Sequence, residues 1–414
     1  MTQSCSDAAE FIARHWERAP MAQPCFGPFA PPSADAVFDA VVAYCRHRTA
    51  GVRFYRGSEL QSLRVGSPLL PKAEDGTFEA YNQRVVTLLG DDNYTFVINN
   101  LQQGSADLHR WARGVSRAVF AERGMNQGGA GLAIFVGNYI YSAFPVHFDH
   151  ENIFHFPIVG EKRIRTWPRS YIDQHPELHE TRDYAAHLAG SQLLCGDPGD
   201  VLYWPKHAWH VGESAKGFSV SLALGMSAYH SALVPLMSKL SALGSGPLDQ
   251  NGSQEFPDDQ PTPSIPVDLR DPARDAEVLP ESYAAAWAQL QQMLSPAAMH
   301  TVWLQQLSSD GFGAVDVRGL PDELLPDDRL RYMAPSVVVH KQMEGFSLVA
   351  TNGIVTPHGE SPEIFARVAE FVADHDGCTL DEVRAAFPDI SDALPPVIER
   401  LLRADVLRLA PTEH

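Results

Sequence analysis

The stretch Pro145-Val-His147-Phe-Asp149-His150 decides the fold, because it sets one histidine and one aspartate two positions apart. In an extended strand, residues i and i+2 point to the same side. His147 and Asp149 should therefore lie together on the inner side of a β-barrel, with the phenylalanine between them on the opposite side. His150 has the wrong parity for the inner side. His155 has the right parity and is expected to line the same interior.

A lysine follows this stretch. Lys162 begins Lys162-Arg-Ile-Arg-Thr-Trp167, just after Gly160, which indicates a turn. We expect 162–167 to be the adjacent antiparallel strand, with Lys162, Ile164 and Thr166 on one face and the residues between them on the other. An isolated ammonium group in an apolar barrel is strongly unfavourable. Lys162 therefore needs an anionic partner, and the distal carboxylate of a 2-oxo acid such as 2-oxoglutarate is a natural one.

A third element, Gly199-Asp-Val-Leu-Tyr-Trp-Pro205, predicts a turn and a strand that return the chain to the barrel mouth. Two histidines follow it, His207 and His210. We favour His210 because it lies farther beyond the proline and has the small residue Gly212 behind it. Together with His147 and Asp149 it gives two histidines and one carboxylate. That set holds non-haem Fe(II) on one face and leaves positions open for 2-oxoglutarate and O₂.

The chain divides into three regions by composition. Residues 1–235 combine N-terminal helices with β-branched and aromatic runs, which predicts a catalytic barrel or sandwich. Residues 236–330 contain a linker rich in Pro, Asp, Ser and Gln at 246–280, then a helix at 281–294 with an apolar stripe. That stripe needs a partner surface, in this chain or in a second copy, and we expect a homodimer through it.

The last region, 331–414, is predicted to contain strands, three short helices and a terminal strand, an order typical of a winged helix. Ser361-Pro362 begins the first helix and Thr379-Leu-Asp-Glu382 is a capping box for the second. A DNA-reading helix needs a basic surface, and these helices are acidic. We interpret the region as a contact for a protein or peptide, or as structural packing.

Bulk composition excludes several classes of protein. The net charge is −19, which argues against non-specific binding to nucleic acid or to an anionic membrane and is compatible with a basic protein substrate. Five scattered cysteines without a C-x-x-C pair indicate a reducing compartment. Neither a signal-peptide pattern nor a membrane-length apolar run is evident, so we expect a soluble, cytoplasmic protein.

These motifs resemble the JmjC-type branch of the cupin 2-oxoglutarate oxygenases, specifically the ribosomal-oxygenase-like protein hydroxylases. The H-x-D pair with Gly160-Glu-Lys162, the element from Gly199 to His210, and the opening Phe11-Ile-Ala-Arg-His-Trp-Glu-Arg-Ala-Pro20 carry the resemblance. It implies an α+β chain: a double-stranded β-helix (the cupin jelly roll), a helical dimerisation segment and a winged helix. It also implies that His147, Asp149 and His210 bind iron and that Lys162 holds the C5 carboxylate of 2-oxoglutarate.

The resemblance also implies polar co-substrate contacts on two further strands. Before the H-x-D pair, this chain has Phe135 where a tyrosine is common, and Asn138, Tyr139 or Tyr141 are candidate substitutes. On the strand after the distal histidine, the candidates are Ser219 and Ser221.

The stretch 168–193 is longer than a tight barrel turn and is a candidate substrate-facing lid. We interpret its histidines as ordinary loop residues and not as a second metal site; they are His175, His179 and His187.

Three functions fit the sequence. The favoured one is an Fe(II)- and 2-oxoglutarate-dependent hydroxylase that acts on a side chain of a ribosomal protein or of a ribosomally made precursor peptide. The second has the same chemistry with a free amino acid or another small molecule from a natural-product pathway as substrate. The third is a non-catalytic cupin-like binding protein.

Overall fold

The computed structural model describes residues 5–90, 93–138, 143–214, 217–243, 264–290, 296–314, 317, 320–321, 324–358 and 362–410. The chain forms two compact units. The first contains the described residues up to His230 except 127–129, and the second contains 127–129 and the described residues from Ser231 onward. The predicted regions 236–330 and 331–414 thus share the second unit. Within the described residues, no helix combines the length and apolarity needed to cross a membrane.

The first unit consists of N-terminal helices followed by strands. Its helices are α1 (Ala8–Arg14), α2 (Ala34–His47), α3 (Phe78–Leu89), α4 (Ala106–Arg123) and α5 (Arg169–Ile172). Its strands are β1 (Met21–Pro24), β2 (Val52–Arg56), β3 (Glu59–Gln61), β4 (Tyr94–Ile98), β5 (Met125–Asn126), β6 (Ala130–Asn138), β7 (Glu151–Val159), β8 (Lys162–Trp167), β9 (Gln192–Gly196), β10 (Asp200–Trp204), β11 (Trp209–Ser214) and β12 (Phe218–Ser227).

Two antiparallel sheets form the barrel of the first unit. The larger sheet has the order β1-β10-β7-β12-β6-β4-β2-β3, and the smaller has the order β11-β8-β9. Apolar side chains from both sheets form a shared core; they are Ile153, Ile164, Leu194, Leu202, Trp204 and Ala223. The predicted combination of a cupin-type barrel with helices is therefore confirmed.

The partners of β8 differ from the prediction. β8 pairs with β11 and β9 and not with the strand that follows the H-x-D pair. The turn at Gly160 carries the chain from β7 in the larger sheet to β8 in the smaller one. Gly160 has φ +67°, and a Cβ there would lie 2.4 Å from the carbonyl oxygen of Phe218, so only glycine fits this crossing. The predicted faces of β8 are correct, because Lys162, Ile164 and Thr166 are buried and the arginines between them are only partly buried.

An aromatic cluster fixes α1 against the barrel. The Phe11 ring contacts those of Phe154 on β7 and Tyr203 on β10, with centroids 5.1 Å and 4.8 Å away. Phe11 is fully buried, which stabilises the fold by about 1.5–3 kcal/mol. The N-terminal segment therefore supports the outer side of strands whose inner side forms part of the barrel core.

The second unit is helical with two small sheets. Its helices are α6 (Leu233–Leu243), α7 (Pro272–Ala276), α8 (Glu281–Leu290), α9 (Pro296–Ser308), α10 (Glu363–Asp374), α11 (Leu380–Ala386) and α12 (Leu394–Arg403). Its strands are β13 (Ser264–Ile265), β14 (Arg329–Tyr332), β15 (Val338–Gln342), β16 (Ser347–Thr351), β17 (Ile354–His358), β18 (Cys378–Thr379) and β19 (Leu407–Leu409). The sheet orders are β18-β14-β19 and β15-β16-β17.

Several local predictions for this unit can be compared with the structure. The capping box is confirmed, since Thr379 and Glu382 exchange side-chain to backbone hydrogen bonds at the start of α11. Pro362 precedes α10 as its N-cap, while Ser361 lies outside the described residues. Most of the predicted linker, and the last four residues of the predicted helix 281–294, also lie outside them.

Part of the apolar stripe on α8 is covered within the same chain. Tyr283 is buried against Trp303 of α9, with ring centroids 5.5 Å apart. Its hydroxyl also donates a hydrogen bond to Gln306 of α9. The second copy that we expected to cover the stripe is therefore not needed for this part of it.

Candidate metal centre

The two histidines of the predicted triad are joined through their backbones. His147 and His210 form an isolated antiparallel bridge. The Asp149 carbonyl accepts a hydrogen bond from the backbone N–H of His207, which fixes the aspartate next to the same turn. Residues 147–149 thus lie outside any regular strand, because β7 begins only at Glu151. The prediction assumed that His147 and Asp149 lie in a regular strand, whereas this isolated bridge takes its place. The side chains of His147 and Asp149 still converge.

The side chains of His147, Asp149 and His210 meet at one point. The Asp149 carboxylate lies 4.0 Å from Nε2 of His147 and 3.4 Å from Nε2 of His210, measured to its nearer oxygen in each case. One ligand atom from each residue lies within 4.8 Å of the other two. These separations suit three ligands on one face of a single metal ion.

The hydrogen bonds of the two imidazoles set their tautomers. Nδ1 of His147 lies 2.8 Å from the carbonyl oxygen of Pro145, and Nδ1 of His210 lies 2.9 Å from that of Ala208. Since a carbonyl oxygen only accepts, each Nδ1 carries the hydrogen and each Nε2 presents a lone pair. Backbone carbonyls commonly orient metal-binding histidines in this way. The residues present therefore fit a divalent iron.

Electrostatics favours the protonation states that a metal needs at His147 and Asp149. Burial, followed by the neighbouring His210, lowers the pKa of His147 and favours the neutral imidazole. For Asp149, burial alone would raise the pKa, but the interactions with the neighbouring His210 and then with His147 outweigh it. The pKa of Asp149 is therefore lowered, and the carboxylate is ionised.

The triad has one open side. The His210 side chain is only 5% exposed, whereas those of His147 and Asp149 are 35% and 36% exposed. The metal position is thus enclosed by β11 and accessible from the side of the H-x-D pair.

Lys162 lies in the interior of the same barrel. It is 3% exposed, and its Nζ lies 5.9 Å from the centre of the Phe135 ring. His210 on β11 pairs with Thr166 on β8. Lys162 lies on the same face of β8 as Thr166, four residues away along the strand. At the usual rise of a strand this separation is about 13 Å. An extended lysine side chain and a five-carbon dicarboxylate can together span it.

His155 lines the interior, as its parity predicts. It is 3% exposed, and its Nε2 lies 2.6 Å from the Ser221 hydroxyl on β12. Burial and then the charges of Lys162 and His210 lower the pKa of His155 well below its ordinary value. His155 is therefore neutral.

The remaining predicted residues have different positions. Ser219 is buried and pairs with Gly137 of β6. Asn138 lies on the opposite face of β6 from Phe135, and its side chain donates a hydrogen bond to Asn82 of α3. Tyr139 and Tyr141 lie outside the described residues.

His207 and His150 pair with each other and stay out of the triad. Their ring centroids are 5.3 Å apart, and both rings also contact Phe148. Of the two histidines left open by the sequence, the structure thus brings His210 to the other two donors.

Comparison with known proteins identifies the domain. Residues 127–232 match the family model of the JmjC domain, a range that contains His147, Asp149, Lys162 and His210. No curated protein matches the chain. The X-ray structure of ycfD from E. coli is 16% identical over 99% of both chains, with a TM-score of 0.48.

Two further solved structures are described as YcfD, a ribosomal oxygenase from Escherichia coli. The complex with cobalt and 2-oxoglutarate is 16% identical over 97% of this chain and 98% of that chain, with a TM-score of 0.48. The complex with cobalt and succinic acid has the same identity and coverage and a TM-score of 0.47. Since these TM-scores are below 0.5, the identification depends on the JmjC-domain match and on the geometry of the site.

The chain contains a JmjC domain, and the predicted JmjC-type 2-oxoglutarate oxygenase is confirmed. Its class is 2-oxoglutarate-dependent dioxygenase, with Fe(II) as the metal and 2-oxoglutarate as the co-substrate.

Proposed function

We propose that this dioxygenase hydroxylates a side chain of a protein or peptide substrate. In the balanced reaction, a substrate C–H, O₂ and 2-oxoglutarate give C–OH, succinate and CO₂. The observation that carries the proposal is the convergence of His147, Asp149 and His210 with one side open to solvent.

In this proposal His147, Asp149 and His210 ligate the iron. The Nδ1–H groups of the two histidines already donate hydrogen bonds to backbone carbonyls, so Nε2 of each histidine is available to the metal without rearrangement. Bound Fe(II) supplies O₂ activation coupled to oxidative decarboxylation of the 2-oxo acid. The protein keeps the site oriented, and its enclosed side keeps water away.

Lys162 binds the C5 carboxylate of 2-oxoglutarate. Burial of its ammonium group beside Phe135 strengthens an ion pair with that carboxylate, because the surroundings exclude water. Ser221 acts through His155, whose ring it orients by a hydrogen bond. Asn138 is left out of the co-substrate site because its side chain bonds Asn82.

Exposure of the metal site favours a macromolecular substrate. The partly exposed His147 and Asp149 allow a side chain that projects from a bulky protein to approach the metal from outside. The net charge of −19 suits a basic partner, for which a ribosomal protein is the first candidate and a precursor peptide the second.

Oxygen transfer tests this proposal directly. The purified protein with Fe(II), ascorbate and 2-oxoglutarate is incubated with ribosomal proteins and with peptides, and the products are analysed by intact-mass spectrometry. We expect a gain of one oxygen atom in a defined polypeptide, and none with His147→Ala. Turnover of 2-oxoglutarate that is stimulated only by free amino acids would favour the small-molecule function. If the unmodified protein neither binds Fe(II) nor turns over 2-oxoglutarate, the result would favour the non-catalytic binding protein.

We further propose that the three helices α10 to α12 with the β18-β14-β19 sheet form a winged helix used for protein contact. The module has its own core, which contains Val368, Val383, Ile398 and Leu401. The homodimer and a cytoplasmic location also remain predictions.

A further inference from the structure

The segment between β8 and β9 is packed onto the backbone next to His147 and onto β11, which carries His210. The backbone N–H of Val146 donates to Thr181, and that of Glu180 donates to Val146, one residue before His147. His179 stacks on Trp209, one residue before His210, with ring centroids 4.3 Å apart. Buried side chains of the segment and of these strands form one cluster; they include Ile172, Leu178, Tyr184, Val146 and Trp209.

Three side chains of this segment converge away from the triad. Oε1 of Glu177 lies 3.1 Å from Nδ1 of His175 and 3.5 Å from Nε2 of His187. The two imidazole rings have centroids 5.0 Å apart. One ligand atom from each of the three residues lies within 4.8 Å of the other two.

These distances match the spacing of ligands around a tetrahedral zinc ion. With zinc–ligand bonds of about 2.0–2.1 Å, neighbouring ligand atoms are about 3.3 Å apart. Nδ1 of His187 also lies 3.3 Å from the Tyr171 hydroxyl, a contact that orients the ring with Nε2 toward Glu177. Two histidines and one glutamate are a donor set that zinc uses in proteins.

In contrast to the interpretation from the sequence, which treats these histidines as ordinary loop residues, we propose that His175, Glu177 and His187 form a second metal site that binds Zn(II), with water as the fourth ligand. Glu177 is exposed and His175 is partly exposed, so the fourth position is open to solvent. The ion ties the turn Pro176–Leu178 to the turn Ala185–Gly190 and so fixes the segment against Val146 and Trp209. This site does not depend on the proposed hydroxylation.

Zinc also binds two-histidine, one-carboxylate sites, so the test removes the triad first. The full-length variant with His147→Ala and Asp149→Ala is titrated with ZnCl₂ against a chromophoric chelator. We expect one tight zinc ion per chain. Adding His187→Ala or Glu177→Gln should weaken this zinc at least about 100-fold, since a ligand is lost.

His179→Ala in the same background is the matched control, because His179 lies in the same segment but outside the set. It should retain the zinc ion. Circular dichroism confirms that each variant is folded, and zinc should raise the melting temperature of the background protein but not that of the His187→Ala variant. The proposal is wrong if the background protein binds no zinc, or if His187→Ala and Glu177→Gln bind it as tightly as the background.

Discussion

His147 and His210 exchange two backbone hydrogen bonds, 3.0 Å from the nitrogen of His147 to the oxygen of His210 and 2.7 Å in the reverse direction. Two residues 63 positions apart in the sequence are thereby held as neighbours before any metal binds. The geometry of the site is thus built into the backbone, so removing one side chain should affect metal affinity far more than folding.

The choice between the two distal histidines gives the first prediction. His210→Ala should lower the affinity for Fe(II) by more than about 100-fold, because a direct ligand is lost. His207→Ala should retain the metal, since the His207 ring contacts Phe148 and His150. Metal analysis after dialysis against a fixed Fe(II) concentration measures both. The opposite result would transfer the ligand role to His207.

The second prediction concerns the co-substrate. Lys162→Met should raise the KM for 2-oxoglutarate by about 30-fold or more, because losing one partner of a buried charge pair costs about 2 kcal/mol or more. Iron content should not change. Arg163→Met is the matched control, since Arg163 is on the other face of β8 and pairs with Glu161. A KM that Lys162→Met leaves unaltered would remove Lys162 from the binding site.

Much of this site could be predicted because its residues follow simple local rules. Alternation by two predicted the inward side of His155, and glycine marked the turn before Lys162. The convergence of His147 and Asp149 was also predicted, although an isolated bridge to His210 produces it and not a regular strand. The same rule shows why Asn138 was a poor candidate: it is three residues from Phe135 and therefore lies on the opposite face of the strand.

Other features depend on contacts that no local rule determines. Alternation assigns the faces of β8 but not its neighbours, and only the crossing at Gly160 puts it beside β11 and β9. The grouping of His175, Glu177 and His187 depends on the path of two short turns, so their spacing in the sequence shows no regular metal-binding pattern. The cover that α9 gives to Tyr283 could not be read from the stripe on α8 alone.

The third prediction concerns the hydrogen bond between Ser221 and His155. Ser221→Ala should reduce the free energy of unfolding by about 1–3 kcal/mol, because it removes a partner from the fully buried Nε2 of His155. Urea denaturation measures the change. Ser219→Ala, at an equally buried position on the same strand, controls for the loss of a hydroxyl. Equal effects of the two substitutions would show that the His155 contact contributes nothing specific.

Assembly gives the fourth prediction. We expect light scattering at micromolar concentration to give twice the 45.5 kDa mass of one chain. Ala285 is exposed on α8, on the side that α9 leaves uncovered, so Ala285→Arg should produce monomers. Glu281→Gln, exposed on the same helix, should not. A monomeric mass for the unmodified protein would contradict the predicted dimer.

The last prediction concerns acid stability. His109 is buried in α4, and burial together with Arg113 and Arg110 lowers its pKa to about 3. Between pH 6.5 and about 3 the unfolded chain binds a proton at this histidine that the folded chain does not, so stability falls as the pH decreases through that window. When the pH falls from 7 to 5, the free energy of unfolding of His109→Gln should decrease by about 2 kcal/mol less than that of the wild type. Urea denaturation at both pH values measures the two decreases. The difference between the two proteins cancels the contributions of other groups. Identical losses would mean that folding does not lower the pKa of His109.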